Sequence, residues 1–166
     1  MPLAGLSIEH ATTLKSNALG TSTWTVRNSG SSPQAIQISL LADIDLNAEV
    51  DTYFNEYGEL IALTAPSGEL APLQWEVDEL GYAAGRLWQN TSAQALRNAS
   101  TLSSSNTDDA AVAFEFGSIT VPAGENLEVK LSFAADGSTG IRVRNSDSEL
   151  QRVVSASMKP SAQAIP

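Results

Sequence analysis

Period-two alternation of apolar and polar side chains is the dominant signal along this chain. It is cleanest over residues 126–133. There Leu127, Val129, Leu131 and Phe133 fall on one side, and Asn126, Glu128, Lys130 and Ser132 on the other. A repeat of two marks a strand with one face in a core and the other in water. A second strand ends just before it, and Pro122, Ala123 and Gly124 between the two read as a hairpin turn.

The same pattern recurs. Residues 6–14 predict a first strand, and residues 21–28, rich in Thr with Trp24 and Val26, a second. Asn28 to Pro33 predicts a turn, because Asn and Gly tolerate positive φ and Pro blocks continuation. Residues 35–44 return with Ile36, Ile38 and Leu40 on one face, as the partner of 21–28 in a hairpin-like unit. Further strands are expected at 110–117, 141–144 and 152–157. Alternation weakens from 45 to 109. There 47–58 reads as a short helix or an acidic loop, and 59–64 and 73–78 as strands. A short helix or turn is expected within 84–98, and a loop over 100–109. No repeat of solenoid period is visible. Many short strands with Gly, Asn and Pro turns predict an all-β protein with little helix. The expected architecture is an antiparallel β-sandwich, Ig-like or jelly-roll-like. One domain spans 1–157 with an irregular insertion at 45–109, and 158–166 form a C-terminal tail.

Composition narrows the function classes. The 166 residues are 42% apolar, enough for one sizeable core. The formal net charge is −10, which disfavours nucleic acid and anionic membrane surfaces as partners. Cysteine is absent, so there are no disulfides and no thiolate metal sites. No apolar run approaches the roughly 20 residues of a membrane span. Residues 1–7 lack the basic and apolar regions of a signal peptide, so Met1 reads as equally compatible with a chain whose signal has been removed.

Candidate chemistry is sparse. Asp43, Asp45, Asn47, Glu49 and Asp51 occupy alternate positions. Such an oxygen-rich set suits Ca²⁺, which takes six to eight hard ligands. It is not an EF-hand, since Ala48 stands at the sixth loop position and Phe54 at the twelfth. A solvated acidic loop is the alternative. Trp75, Tyr82 and Trp88, near Glu76, Asp78 and Glu79, could stack on sugars, or the tryptophans could be core residues. His10 is the only histidine, and no Gly-x-Ser-x-Gly elbow accompanies it. No phosphate loop or basic aromatic patch is present. No catalytic set is therefore expected, and the protein reads as not an enzyme.

Two segments carry a family resemblance. The strand and turn from Trp24 to Pro33, and the Val121-Pro122 turn followed by the alternating strand to Leu131, resemble extracellular Ig-like bacterial domains. With 41–46, 53–58 and 75–82, they resemble ectodomains of exosortase-sorted surface proteins of the PEP-CTERM type. That resemblance implies an extracellular or cell-surface location and a structural or adhesive role in the surface or biofilm matrix. Expected partners are further copies, joined by strand addition, or matrix and cell-surface components. The alternative expectation is a carbohydrate-binding module using Trp75, Tyr82 and Trp88, with glycans as partners.

Overall fold

A computed structural model describes residues 5–16, 19–46, 54–82 and 85–160. The elements in chain order are β1 (Leu6–Ser16), β2 (Leu19–Asn28), β3 (Gln34–Asp43), β4 (Glu56–Ala62), β5 (Gln74–Asp78), α1 (Leu87–Ala93), β6 (Ala99–Ser100), β7 (Ala111–Val121), β8 (Asn126–Ala134), β9 (Gly140–Asn145) and β10 (Gln151–Pro160). They form two sheets, a large one of order β1-β2-β8-β10-β9-β4 and a small one of order β3-β7-β5-β6. Every pairing is antiparallel except the short β5–β6 contact. The protein is an all-β sandwich, with one short helix among the described residues, as the alternation predicts.

The sheets pack because each offers an apolar face. From the large sheet come Val26, Leu127, Val129, Leu131, Ile141, Val143, Val154, Ala156 and Met158. From the small sheet come Leu40, Trp75, Val77, Val112, Phe114, Phe116 and Val121. Leu127, Val129 and Leu131 are buried, and their polar neighbours face outward. One irregularity lets β7 fill the core along its whole length. Its pairing with β3 slips between Ile38 and Ser39, opposite Gly117. Gly117 takes φ of +73°, a conformation that side chains resist. The extra residue puts Phe116 and Ile119 both inward despite their odd spacing.

Both expected hairpins differ from the observed pairing. β2 pairs with β1 and β8, and β3 pairs with β7. The turn after Asn28 therefore carries the chain from the large sheet to the small one. The Pro122–Gly124 turn likewise joins β7 of the small sheet to β8 of the large one. Period two fixes which face of a strand is buried; it does not fix which strand lies beside it.

Residues 47–53 and 83–84 lie outside the described residues, and the rest of 45–109 is more regular than an insertion. β4 closes one edge of the large sheet, and β5 and β6 complete the small one. Strand β4 begins inside the segment read as helix or acidic loop. The tail is shorter than expected, because Met158, Lys159 and Pro160 pair with Val129, Glu128 and Leu127. Residues 161–166 lie outside the described residues.

β5 is buried on both faces. Trp75 and Val77 point into the sandwich. The outer face of the small sheet carries a second apolar cluster, Leu87, Leu96, Ala111 and Ala113, roofed by α1 and the chain after it. Glu76 and Asp78 lie under that roof.

Candidate functional site

The most distinctive surface is an open side of the sandwich. β1 is an edge of the large sheet and β3 an edge of the small one. Both border one apolar groove of about 620 Å³. Leu6, Ile8, Trp24 and Val26 form its roof from the large sheet, and Ile36, Ile38 and Leu40 its floor from the small one. Among the described residues, no charged side chain lines it. Ile8 and Leu14 are 68% and 78% exposed, unusual for large aliphatics on one strand. His10 stacks on Trp24 with ring centroids 4.8 Å apart, and its Nε2 lies 3.3 Å from Thr12 Oγ1. The histidine thus caps the groove-side face of β1.

The two sides of the sandwich are built differently. β1 and β3 are eleven and ten residues long, and β3 has no charge before Asp43. On the opposite side β6 has two residues. β4 has seven, and its Glu59 pairs with Arg142 and Arg144 of β9. Short or charged edges resist pairing with other chains; long uncharged ones invite it. Sequence reading did not single out this groove. The signal was present in the apolar positions Ile8 and Leu14 and the uncharged run from Gln34 to Ala42.

The carboxylates near Trp75 form a closed network. Glu76 is fully buried and accepts from Asn90 Nδ2 at 2.8 Å, Arg97 N at 2.8 Å and Arg97 Nε at 2.6 Å. Arg97 also bridges to Asp78 at 2.7 Å. The Glu76 carboxylate and the Asp78 charge hold the Arg97 guanidinium above its usual range. Asp78 further accepts from Thr101 Oγ1 and the amides of Glu79 and Arg86. Glu79 accepts from the amides of Gly81, Tyr82 and Gly85. These acids hold the roof of the small sheet in place, and their oxygens are directed at protein donors.

The aromatic candidates are divided. Trp75 is 9% exposed on the inner face of β5. Tyr82 and Trp88 are 75% and 61% exposed, on and beside α1, and the Trp88 amide donates to the Leu80 carbonyl. The fold does not bring Trp75 together with the other two.

Of the calcium candidates, Asp43 and Asp45 are described, and Asn47, Glu49 and Asp51 lie outside the described residues. Asp43 ends β3 opposite Ala111. Around this end of the sandwich stand Asp45, Glu56, Glu79, Asp108 and Asp109. Burial, then repulsion from Asp45, raises the Asp43 carboxyl above its ordinary value. Burial, then Asp43 and Asp108, pushes Asp109 up to about 6. Burial pushes Glu56 up to about 7, against the pull of the Leu46 and Ala110 amides that it accepts. Among the described residues, no three acids converge closely enough to hold a metal ion. No described helix is long and apolar enough to cross a membrane. Comparison with protein-family models, with curated proteins and with solved structures finds no match.

Proposed function

We propose that this protein is a non-enzymatic structural or adhesive module of the bacterial surface or biofilm matrix, joined to other chains by strand addition. One observation carries the reading: two long strand edges, β3 without charge before Asp43 and β1 with Glu9 and Lys15 as its charged side chains, flank an apolar groove. An extended segment laid along β3 gains main-chain hydrogen bonds from the edge and places alternate side chains under Ile8 and Trp24. The extracellular setting rests on the resemblance to exosortase-sorted ectodomains. The non-enzymatic reading is supported by the saturation of Glu76, Asp78 and Glu79 by internal donors.

The test is titration of isotope-labelled protein with a ten-residue peptide of alternating valine and threonine, flanked by lysines. Strand addition moves the amide resonances of residues 35–41 and protects them from exchange. No change at millimolar peptide would remove strand addition. A second reading, glycan binding, has its own support in the paired exposure of Tyr82 and Trp88. A glycan array separates the two, since sugars would perturb Tyr82 and Trp88 and leave β3 unmoved.

A further inference from the structure

We infer that the segment added at the groove is β1 of a second copy of this chain, and that two copies close a reciprocal lap joint. This rests on the strand-addition reading above and names its partner. The large sheet has six strands and the small one four. At the groove side the large sheet overhangs, so the inner face of β1 and β2 looks onto the side of β3. A second copy turned over about an axis along the strands meets this step with its own. Its β1 then runs beside β3 of the first copy, and the first copy's β1 runs beside its β3. Each overhang roofs the other's groove, and each open edge gains a partner. The contact is isologous, so it closes at two copies.

Charge favours a second copy over a foreign chain of opposite sign. The chain carries −10 overall, yet β1 holds one Glu, one Lys and one His. Among the described residues, the groove lining holds no charged side chain. Two acidic molecules therefore meet little like-charge repulsion across this side. Side chains match as well. Leu6, Ile8 and Leu14 alternate along β1 and supply the apolar stripe that an added strand needs. The step supplies the area: β1 runs about 35 Å, and a gap of about 10 Å between the sheets plus an overhang of about two strands, about 10 Å, give roughly 700 Å² per partner, near the roughly 800 Å² of a standard stable interface.

Sedimentation equilibrium over a wide concentration range is expected to show a monomer–dimer equilibrium. Ile8→Glu, at a site exposed in the monomer, should weaken the dimer about 100-fold or more without changing the circular dichroism spectrum. Gln37→Lys on the β3 edge should do the same. The chain has no cysteine, so placed thiols report geometry directly. A short bis-maleimide should link Thr12→Cys protein to Gln37→Cys protein in a mixture, and neither variant to itself. Self-linking of Thr12→Cys would overturn the lap joint in favour of β1–β1 pairing. A wild-type monomer at millimolar concentration that still binds the valine–threonine peptide overturns the second copy as occupant and leaves strand addition standing. A monomer that binds no peptide overturns both.

Discussion

Asn28 Nδ2 donates to the Val121 carbonyl at 3.0 Å, across 93 residues of sequence. The same amide group reaches the Ser32 carbonyl at 2.8 Å, and Oδ1 accepts from the Gly30 amide. Its backbone donates to the Glu125 carbonyl and accepts from the Gly124 amide. One fully buried side chain thus ties together the two corners where the chain changes sheets.

Replacing Asn28 should therefore cost more than a surface turn residue would. Asn28→Ala strands the Val121 and Ser32 carbonyls without a donor, and a loss of about 2–3 kcal/mol is expected. Asn28→Asp should be no better, because it sets a carboxylate against those carbonyls. Urea unfolding measures both. A change within about 0.5 kcal/mol would mean that the corners hold without this residue.

The Glu76–Arg97 pair predicts a different pattern. Arg97→Ala leaves Glu76, wholly shielded from water, without its cation. A loss of about 3 kcal/mol is expected, since removing one partner of a buried pair strands the other charge. Glu76→Leu combined with Arg97→Met should recover only part of it, because the apolar pair carries no desolvation cost but leaves Asn90 Nδ2 and the Arg97 amide without an acceptor and Asp78 without its cation. A double variant as unstable as the single one would assign the network a role in specifying the fold beyond its charges.

The aromatic residues separate core from surface. Trp75→Ala opens a cavity between the sheets and should cost about 3–5 kcal/mol. Tyr82→Ala and Trp88→Ala should each stay within about 0.5 kcal/mol of the parent. Any glycan affinity lost in those two and retained elsewhere would promote the carbohydrate reading. Equal large losses of stability in all three would place Tyr82 and Trp88 in a packed interior, contrary to their exposure.

The calcium expectation has its own measurement. A site using Asp43 and Asp45 predicts a Tm that climbs with Ca²⁺ concentration through mass action. Asp43→Asn should abolish the climb. A Tm indifferent to both Ca²⁺ and chelator removes the ion.

What the sequence conveyed depends on how many faces of a strand meet water. β8 has one wet face, so Leu127 to Phe133 announced both the strand and its buried side. β5 has none. Its outer acids are buried by Arg97, whose distance along the chain no local pattern encodes, so Glu76 and Asp78 read as available beside Trp75. The turns at Asn28–Pro33 and Pro122–Gly124 were legible from backbone chemistry. Their role as crossings between sheets was not, because a turn and a crossover use the same residues. The groove escaped for a related reason. Ile36 and Ile38 read as core positions, and only the pairing order leaves β3 at an edge.

The acidic end sets the pH dependence of stability. Glu56 at about 7 and Asp109 at about 6 lie above the ordinary values of 4.5 and 3.8 that the unfolded chain restores. Each binds its proton more tightly when folded. Their contribution is therefore complete below about pH 4 and is lost as pH rises through about 7. Glu69 acts in the opposite sense. Burial alone would raise it, but hydrogen bonds from Ser157 and Lys130 outweigh burial and lower it. Its contribution fades as pH falls below about 4.5. Maximum stability is thus expected in mild acid. Between about pH 4.5 and about pH 8, Glu56 alone should cost about 2–3 kcal/mol, given its near-complete burial. Glu56→Gln keeps an acceptor for the Leu46 amide and should flatten most of the slope. Denaturation at three pH values across this range decides it, and a parent protein whose stability is level or rising toward about pH 8 would show that Glu56 enters the fold already ionised.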